Sequence, residues 1–208
     1  MSQARRGKFV TLEGVDGAGK STHVKFIADA LAGGGRHVVQ TREPGGTDFA
    51  EKLRQIVLTE KLSPVMATLL VFSGRADHVA RVIEPALAAG NHVVCDRFTD
   101  ATYAYQGGGR SMAHAQIDAL ARLAHPSLAP DLTVLLDAPV ALGLARAGAR
   151  QGSADRFEAE RQEFFERVRS AYLERARLEP GRVRIIDAAG TIDEVEAAVR
   201  SALAPLLT

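Results

Sequence analysis

Residues 14–21 read G-V-D-G-A-G-K-S and fit the pattern G-x-x-x-x-G-K-[ST]. They directly follow an apolar run at 9–12 and open a stretch of helical character. Glycines let such a loop curl until its backbone N–H groups point inward, and the following helix adds a positive dipole that attracts phosphates. Lys20 would reach the β- and γ-phosphates, and Ser21 would bind a bridging Mg²⁺. The predicted nucleotide-binding residues are Gly14, Val15, Asp16, Gly17, Ala18, Gly19, Lys20, Ser21 and Thr22.

Short apolar runs alternate with longer segments of helical periodicity along the whole chain. This alternation predicts an α/β domain with a mostly parallel sheet. The runs are rich in Val, Leu and Ile and lack polar alternation, as expected of strands covered on both faces. Pro85 is predicted to kink or divide the helical segment 64–89. The five predicted strands are 8–13, 36–40, 92–95, 132–136 and 183–186, and the first two precede helices at 20–32 and 47–58.

Polar residues follow several predicted strands, at the sheet edge where open parallel sheets bind ligands. Residues 41–47, T-R-E-P-G-G-T, follow the second strand, and Asp96 and Arg97 end and follow the third. An acidic residue at the position of Asp96 orients Mg²⁺ or its waters in P-loop enzymes. Arg97 is suited to bind a phosphate through two N–H groups. The alternative is that both residues only cap neighbouring loops.

Two further segments have a composition that suits nucleotide contacts. Residues 103–110, Y-A-Y-Q-G-G-G-R, place aromatic and amide groups beside a flexible turn that could grip a base or a sugar. Residues 146–156 form a break rich in Gly and Arg between two helical patterns. We predict that this break is a lid, whose closure brings Arg side chains onto the transferring phosphoryl group and excludes water. An ordinary exposed helix connection is the alternative.

Bulk properties limit the class of protein. No Pro/Ser-rich or charge-dense linker divides the 208 residues, so one domain spanning 1–208 is predicted. The net charge of +1 gives no general attraction to nucleic acid. Cys95 is the one cysteine and cannot form an intramolecular disulfide, no apolar stretch predicts a signal peptide or membrane span, and the histidines lack zinc-ligand spacing. We expect a cytoplasmic protein that binds neither nucleic acids nor membranes.

Six motifs, taken in order, resemble those of the thymidylate kinase family, and in particular its bacterial type with a catalytic arginine in the lid. The resemblance spans nearly the whole chain. It implies the P-loop nucleoside monophosphate kinase fold, in which helices flank a five-stranded parallel sheet and a lid covers the site. The motifs are E-G-x-[DE]-G-A-G-K-[ST] at 13–21, T-R-E-P-G-G-T at 41–47, F-x-x-R at 72–75, D-R-x at 96–98, A-Y-Q-G-G-G-R at 104–110 and D-R-x-E at 155–158.

The resemblance implies a binding site for dTMP. Arg97 would bind its 5′-phosphate, and Asp16 would accept a hydrogen bond from its 3′-hydroxyl. Relatives often have four residues from the stacking phenylalanine to the arginine of the F-x-x-R motif, whereas here the spacing is three. The remaining implied contacts are stacking on thymine by Phe72, donation to O4 by Arg75, contact with N3 by Thr102, crowding of the 2′ position by Tyr105 and support of the acceptor site by Glu158.

The implied reaction is the in-line transfer of the γ-phosphoryl group from ATP-Mg²⁺ to the phosphate of dTMP. No strong general base is needed, because the acceptor is already a phosphate oxygen. Gly17 stands where another class of the family has a P-loop arginine, so the lid must supply that charge. Arg150 is the best candidate, although the choice among lid arginines stays open. The resemblance further implies Lys20, Asp96, Arg97 and Arg150 as catalytic residues, Ser21 and Asp96 as metal ligands, Arg146 stacked on adenine, and a homodimer packed through helices.

Two other functions compete with this interpretation. A GTPase switch needs N-K-x-D to recognise guanine, and the chain lacks it; the D-x-x-G match at 187–190 lies too near the carboxyl terminus. A monophosphate kinase with another base preference shares the fold and the P-loop, so only acceptor-site residues distinguish it. The residues that favour thymidylate are Phe72, Arg75, Thr102 and Tyr105.

Overall fold

Five parallel strands form one sheet in the computed structural model, which describes residues 6–32, 37–148 and 158–207. The order across the sheet is β2-β3-β1-β4-β5. Each predicted strand is present, and the largest shift is in β2, which begins and ends two residues later than predicted. The predicted five-stranded parallel sheet is therefore confirmed. The strands are β1 (Phe9–Glu13), β2 (Val38–Arg42), β3 (His92–Asp96), β4 (Leu132–Asp137) and β5 (Val183–Asp187).

Burial differs between the central and the edge strands. All residues of β1 are buried, and β3 and β4 are buried except at their final aspartates. The edge strands β2 and β5 retain exposed positions because each has a neighbouring strand on one side only. Coverage on both faces, predicted for every run, thus holds for the three central strands. These three strands end at the predicted ligand-binding edge.

Helices flank the sheet, and the long segment containing Pro85 is divided as predicted. A π-helical segment, Val79–Ile83, interrupts it directly before a short helix that contains the proline. A second π-helical segment spans Tyr103–Gly109. The α-helices are α1 (Lys20–Ala32), α2 (Asp48–Thr59), α3 (Pro64–His78), α4 (Glu84–Ala88), α5 (Thr99–Thr102), α6 (His114–Ala124), α7 (Val140–Gly148), α8 (Glu158–Leu178) and α9 (Ile192–Leu203).

The core lies on both faces of the sheet, because successive side chains of a strand point in opposite directions. Val10 and Leu12 belong to a large buried cluster shared with α1, α8 and α9. Phe9, the residue before Val10, packs instead with Ile83 and Leu87 on the other face. In the part of the chain that the structure describes, no helix is long and apolar enough to cross a membrane.

Ion pairs attach α8 to the carboxyl-terminal edge of the sheet. Arg169 donates two hydrogen bonds to Asp137 at the end of β4, at 2.6 and 2.8 Å. Arg175 donates to Asp100 at 3.2 Å, and Arg182 donates to the same carboxylate at 2.7 Å. Burial raises the pKa of Asp100, but Arg182 and Arg175 outweigh burial and leave that pKa below its usual value. The pairs made by Arg169 and Arg175 therefore attach α8, the helix that follows the predicted lid, to the end of β4 and to α5.

Candidate active site

A cavity of about 380 Å³ opens at the carboxyl ends of β2 and β3, beside the P-loop. It brings together Asp16, Arg75, Arg97, Thr102 and Tyr105, all predicted to bind the acceptor nucleotide, with Asp96. These residues come from three parts of the chain, the P-loop, α3 and the segment 96–105, and the fold brings them to one cavity. The other lining residues are Arg42, Glu43, Pro44, Arg54, Val57, Leu58, Val71, Phe98, Ala101, Gln106 and Arg110.

The P-loop needs glycine at two positions for reasons of space as well as backbone conformation. Gly14 and Gly17 have φ angles of +143° and +78°, which side chains rarely adopt. A Cβ at Gly14 would lie 2.5 Å from the carbonyl oxygen of Leu136, and one at Gly17 would lie 1.9 Å from that of Gly143 in α7. Because α7 packs so closely, the loop has no room for a side chain at residue 17.

Lys20 begins α1 and folds back over the P-loop. Its ammonium group donates to the carbonyl oxygens of Gly14 and Val15, each at 3.0 Å. Burial and, to a smaller extent, the positive charge of Arg97 lower the pKa of Lys20 to about 7, against the opposing effect of nearby carboxylates. The amino group of Lys20 therefore lies at the P-loop in surroundings that favour its neutral form.

The residues predicted to bind the metal suit a magnesium ion. Asp96 ends β3, and its buried Oδ1 has no hydrogen-bond partner in the structure. Ser21 is exposed in the first turn of α1. Mg²⁺ in such sites is held by one or two protein oxygens together with substrate phosphates and water, so a larger cluster of ligands is not required. Among the described residues, the unpaired carboxylate oxygen of Asp96 and the exposed hydroxyl group of Ser21 are consistent with this requirement.

Arg97 is the centre of the acceptor site. Its φ angle is +69°, and its guanidinium lies over the ring of Tyr105, 4.7 Å from the ring centre. One terminal nitrogen donates to Asp16 at 2.7 Å and to the Tyr105 hydroxyl at 2.9 Å. The other donates to the hydroxyl of Tyr172 at 3.0 Å. Residues from the P-loop, the second π-helical segment and α8 thus converge on one guanidinium.

Behind Arg97 lies Glu13, the last residue of β1. Its Oε1 accepts from the backbone N–H of Phe98 at 2.7 Å, and its Oε2 accepts from the hydroxyl of Tyr172 at 2.8 Å. Burial raises the pKa of Glu13 to about 8, and the charge of Asp100 adds to the rise, while Arg97 and the two hydrogen bonds oppose it. Glu13 therefore joins the strand, the Asp96–Phe98 loop and α8.

Arg75 is buried with one terminal nitrogen left for a ligand. Its Nε donates to Glu43 at 2.6 Å, and its Nη2 donates to the Thr102 hydroxyl at 3.1 Å and to the carbonyl of Phe98 at 3.2 Å. Among the residues that the structure describes, its buried Nη1 has no hydrogen-bond partner. Burial raises the pKa of Glu43, but Arg75 and His78 outweigh burial, so the net direction is down. Glu43 thus holds Arg75 in place as an anion.

Phe72, which was predicted to stack on thymine, is not among the residues that line the cavity. Its ring packs with Tyr103 and Ile117, and the guanidinium of Arg75 lies 4.6 Å from its centre. Val71 lines the cavity instead. One residue along a helix turns the side chain by about 100°, so residues three and four before Arg75 face different surroundings. Phe72 consequently supports Arg75, and an aliphatic side chain borders the cavity four residues before Arg75.

The structure describes only part of the predicted lid and its neighbouring residues. Arg146 lies in α7, where it donates to the carbonyl of Ala188 at 3.0 Å, on the β5 side of the P-loop. Arg150 and the rest of the lid to residue 156 lie outside the described residues. Glu158 begins α8. The predicted roles of these three residues therefore stay predictions.

Several functional candidates did not follow from the sequence. Arg54 of α2 reaches the cavity and donates to the carbonyl of Pro44 at 2.6 Å, although nothing in its surrounding sequence marks it. Arg42 and Arg110 lie inside recognised motifs without an assigned role, and both line the cavity. Tyr172 belongs to a helical apolar stripe typical of core residues. That pattern predicts burial of its ring and gives no sign of the contacts that its hydroxyl makes. The motifs themselves are the one signal that pointed to Arg42 and Arg110.

Comparisons with known proteins agree on one family. The family described as thymidylate kinase matches residues 12–199. Thymidylate kinases of Bordetella petrii and Pseudomonas syringae pv. syringae are 54% and 53% identical to this chain, each over 97% of both sequences. The crystal structure of thymidylate kinase from Ehrlichia chaffeensis has a TM-score of 0.79 and 31% identity, over 96% of this chain and 99% of that one. The predicted P-loop nucleoside monophosphate kinase fold is thereby confirmed, and the chain belongs to the thymidylate kinase family.

Proposed function

We propose that the cavity holds dTMP while the P-loop holds ATP, so that the γ-phosphoryl group moves in line onto the dTMP phosphate. Membership of the thymidylate kinase family makes the reaction the phosphorylation of dTMP to dTDP with ATP as donor. The observation that carries the proposed geometry is the position of Arg97, which contacts Asp16 of the P-loop and lines the cavity with Arg75. Arg97 therefore borders both the proposed phosphate site of ATP and that of dTMP.

The proposed dTMP contacts follow the free hydrogen-bonding capacity of the cavity. Arg97 binds the 5′-phosphate, since a guanidinium matches phosphate oxygens with paired N–H groups. Asp16 accepts from the 3′-hydroxyl, and the free Nη1 of Arg75 donates to O4 of thymine. Thr102, already bonded to Arg75, contacts N3. The aliphatic side chain of Val71, in place of Phe72, borders the base.

The proposed ATP contacts lie in the P-loop. Lys20 binds the β- and γ-phosphates, for which it exchanges its present contacts with loop carbonyls. Ser21 would hold Mg²⁺, and Asp96 would orient it or its waters. A bound Mg²⁺ neutralises charge on the phosphates during transfer. We assign Arg146 to the adenine side, because it lies in α7 beside the loop after β5.

In this proposal, the protein catalyses the transfer by positioning the two nucleotides and by neutralising the charge of their phosphates. The acceptor is a phosphate oxygen, so no side chain needs to remove a proton. Lys20, Arg97 and the lid residue Arg150 neutralise the crowded anions, and Glu158 supports the acceptor site. Closure of residues 146–156 would exclude the water that otherwise competes as acceptor.

The first experiment measures ADP formation by the purified protein with ATP-Mg²⁺ and six acceptors in parallel: dTMP, dUMP, dGMP, dCMP, AMP and UMP. We expect strong preference for dTMP. Turnover with a different monophosphate would keep the phosphate chemistry and reject the base and sugar contacts. Absence of acceptor-dependent turnover would contradict the proposed reaction and favour a nucleotide-binding switch.

Replacing Tyr105 with alanine is expected to relax the selection of deoxyribose. Its ring lies beneath Arg97, and its hydroxyl donates to Asp16 at 3.0 Å, so the side chain occupies the sugar side of the site. The ratio of kcat/KM for dTMP to that for ribothymidine monophosphate should fall about tenfold, since steric pocket effects have this order of size. Tyr105→Phe is the matched control, because it keeps the ring and should keep the discrimination. Unchanged rejection of the ribonucleotide by Tyr105→Ala would contradict the assignment.

We also propose a homodimer that packs through α2 and α3. These helices lie against each other and expose Phe49, Ile56, Val65, Met66 and Leu69. Exposed apolar side chains grouped on adjacent helices are typical of a protein interface. A monomer in light scattering at micromolar concentration would contradict this proposal.

We also propose a cytoplasmic location, because a chain with one cysteine needs no oxidising compartment.

A further inference from the structure

Tyr172 makes two hydrogen bonds that its place in an apolar stripe does not predict. It lies in α8, is 2% exposed, and is not among the residues that line the cavity. Its hydroxyl donates to Glu13 at 2.8 Å and accepts from Arg97 at 3.0 Å. The residue therefore meets the cavity-lining residues through this bond to the guanidinium of Arg97 and through an edge contact with the ring of Tyr105, whose centre lies 6.4 Å from its own.

The direction of these bonds follows from the groups involved. A tyrosine hydroxyl has one proton to donate and lone pairs that accept, whereas Arg97 can only donate. The hydroxyl hydrogen of Tyr172 points to Glu13, so a lone pair of the Tyr172 oxygen remains to accept from Arg97. Burial raises the pKa of Tyr172 well above its usual value, which keeps the hydroxyl protonated. Glu13 thus orients Tyr172, and Tyr172 in turn orients Arg97.

The backbone on both sides of Tyr172 is held in place. One turn before it, Arg169 makes the paired contact with Asp137, and one turn after it, Arg175 contacts Asp100. The carboxylate of Glu13 is fixed independently by the backbone N–H of Phe98. The Tyr172 oxygen therefore has a defined position from which to direct Arg97, a residue whose own backbone has the unusual φ of +69°.

We propose that Tyr172 is a positioning residue for phosphate binding, which fixes the guanidinium of Arg97 so that its remaining N–H groups face the 5′-phosphate of the acceptor nucleotide. The proposal rests on the proposed role of Arg97. Asp16 and Tyr105 also contact Arg97, but both line the cavity and face the nucleotide directly. Tyr172 is buried and does not line the cavity, so in this proposal the bound nucleotide does not compete for its contact with Arg97.

The test compares Tyr172→Phe with the unsubstituted protein in binding and in turnover. Hydrogen bonds to charged groups are stronger than those between neutral groups, so we expect kcat/KM for dTMP and dTMP affinity to fall by about tenfold or more. The affinity for thymidine, which lacks the phosphate, and the KM for ATP should each stay within about twofold, because Arg97 donates to neither in this arrangement. Equal losses for dTMP and thymidine would overturn the proposal.

Tyr103→Phe is the matched control. Tyr103 is also buried, and its hydroxyl donates to Asp118, away from Arg97. Both variants lose one buried tyrosine hydroxyl, so their thermal unfolding should shift similarly, whereas only Tyr172→Phe should weaken dTMP binding. Equal weakening of dTMP binding in the two variants would reduce Tyr172 to a structural role and overturn the proposal.

Combining Tyr172→Phe with Arg97→Ala distinguishes the positioning role of Tyr172 from the phosphate-binding role of Arg97. If Tyr172 acts through Arg97, Tyr172→Phe should cost no further dTMP affinity once Arg97 is removed. Additive losses would overturn the positioning role. If Arg97→Ala alone leaves the preference of the protein for dTMP over thymidine unchanged, the proposed phosphate site itself fails, which is a different outcome from the failure of Tyr172.

Discussion

Replacing Arg150 with alanine is expected to lower kcat by about 10³–10⁵ while KM for dTMP changes far less, by analogy with the loss of an arginine finger. Charge accumulates on the equatorial oxygens only as the phosphoryl group transfers, so a cation that meets it there affects turnover more than ground-state binding. The measurement is steady-state kinetics with dTMP varied at saturating ATP-Mg²⁺.

The P-loop gives the physical reason for placing this charge in the lid. Lys20 is the one cation among residues 14–22. A side chain at Gly17 cannot fit, because its Cβ would lie 1.9 Å from the carbonyl oxygen of Gly143 and its φ is +78°. Arg97 is committed to Asp16, Tyr105 and Tyr172 on the acceptor side. A further cation must therefore come from another segment, and the lid is rich in arginine.

Two comparison variants sharpen the Arg150 experiment. Arg122→Ala removes an exposed arginine from α6 and should leave kcat unchanged. Arg156→Ala tests the other end of the lid. A near-normal kcat for Arg150→Ala would refute its assignment, and a large loss confined to Arg156→Ala would transfer the role to that residue.

Replacing Lys20 with methionine is expected to lower kcat by about 10²–10³, the usual loss when one preorganised donor is removed from a developing anion. The same variant should lose a proton uptake that accompanies ATP binding. The pKa of Lys20 is about 7 without ligand, so the group is largely neutral at about pH 8. Bound phosphates favour the charged form and raise that pKa, so ATP binding at this pH draws a proton from solution.

Calorimetry of ATP binding in two buffers of different ionisation enthalpy measures this uptake. Lys25→Met is the matched control, since Lys25 lies in the same helix, pairs with Asp29 and is exposed. It should keep both the turnover and the proton uptake. Equal uptake in Lys20→Met and the unsubstituted protein would assign the proton to a different group.

Local patterns predicted the elements well because they report local backbone requirements. The apolar runs located all five strands, and Pro85 divided its helical segment, since a missing N–H acts wherever it occurs. The F-x-x-R motif was less informative. It identified Arg75 correctly as a cavity residue but attached the stacking role to Phe72, whereas Val71 lines the cavity. A motif gives spacing along the chain, and small differences in helix rotation decide which side chain meets the ligand.

The sequence by itself determined the P-loop, the parallel sheet, the family and several of the residues that line the cavity, because each depends on residue types at short spacing. Only the tertiary structure decided which polar groups meet. The hydroxyl of Tyr172 contacts Glu13 across 159 positions of the chain. Arg54 reaches the cavity from α2, and within the described part of the chain the buried Oδ1 of Asp96 and Nη1 of Arg75 have no hydrogen-bond partner. Such contacts depend on how distant elements pack, and no local pattern carries that information.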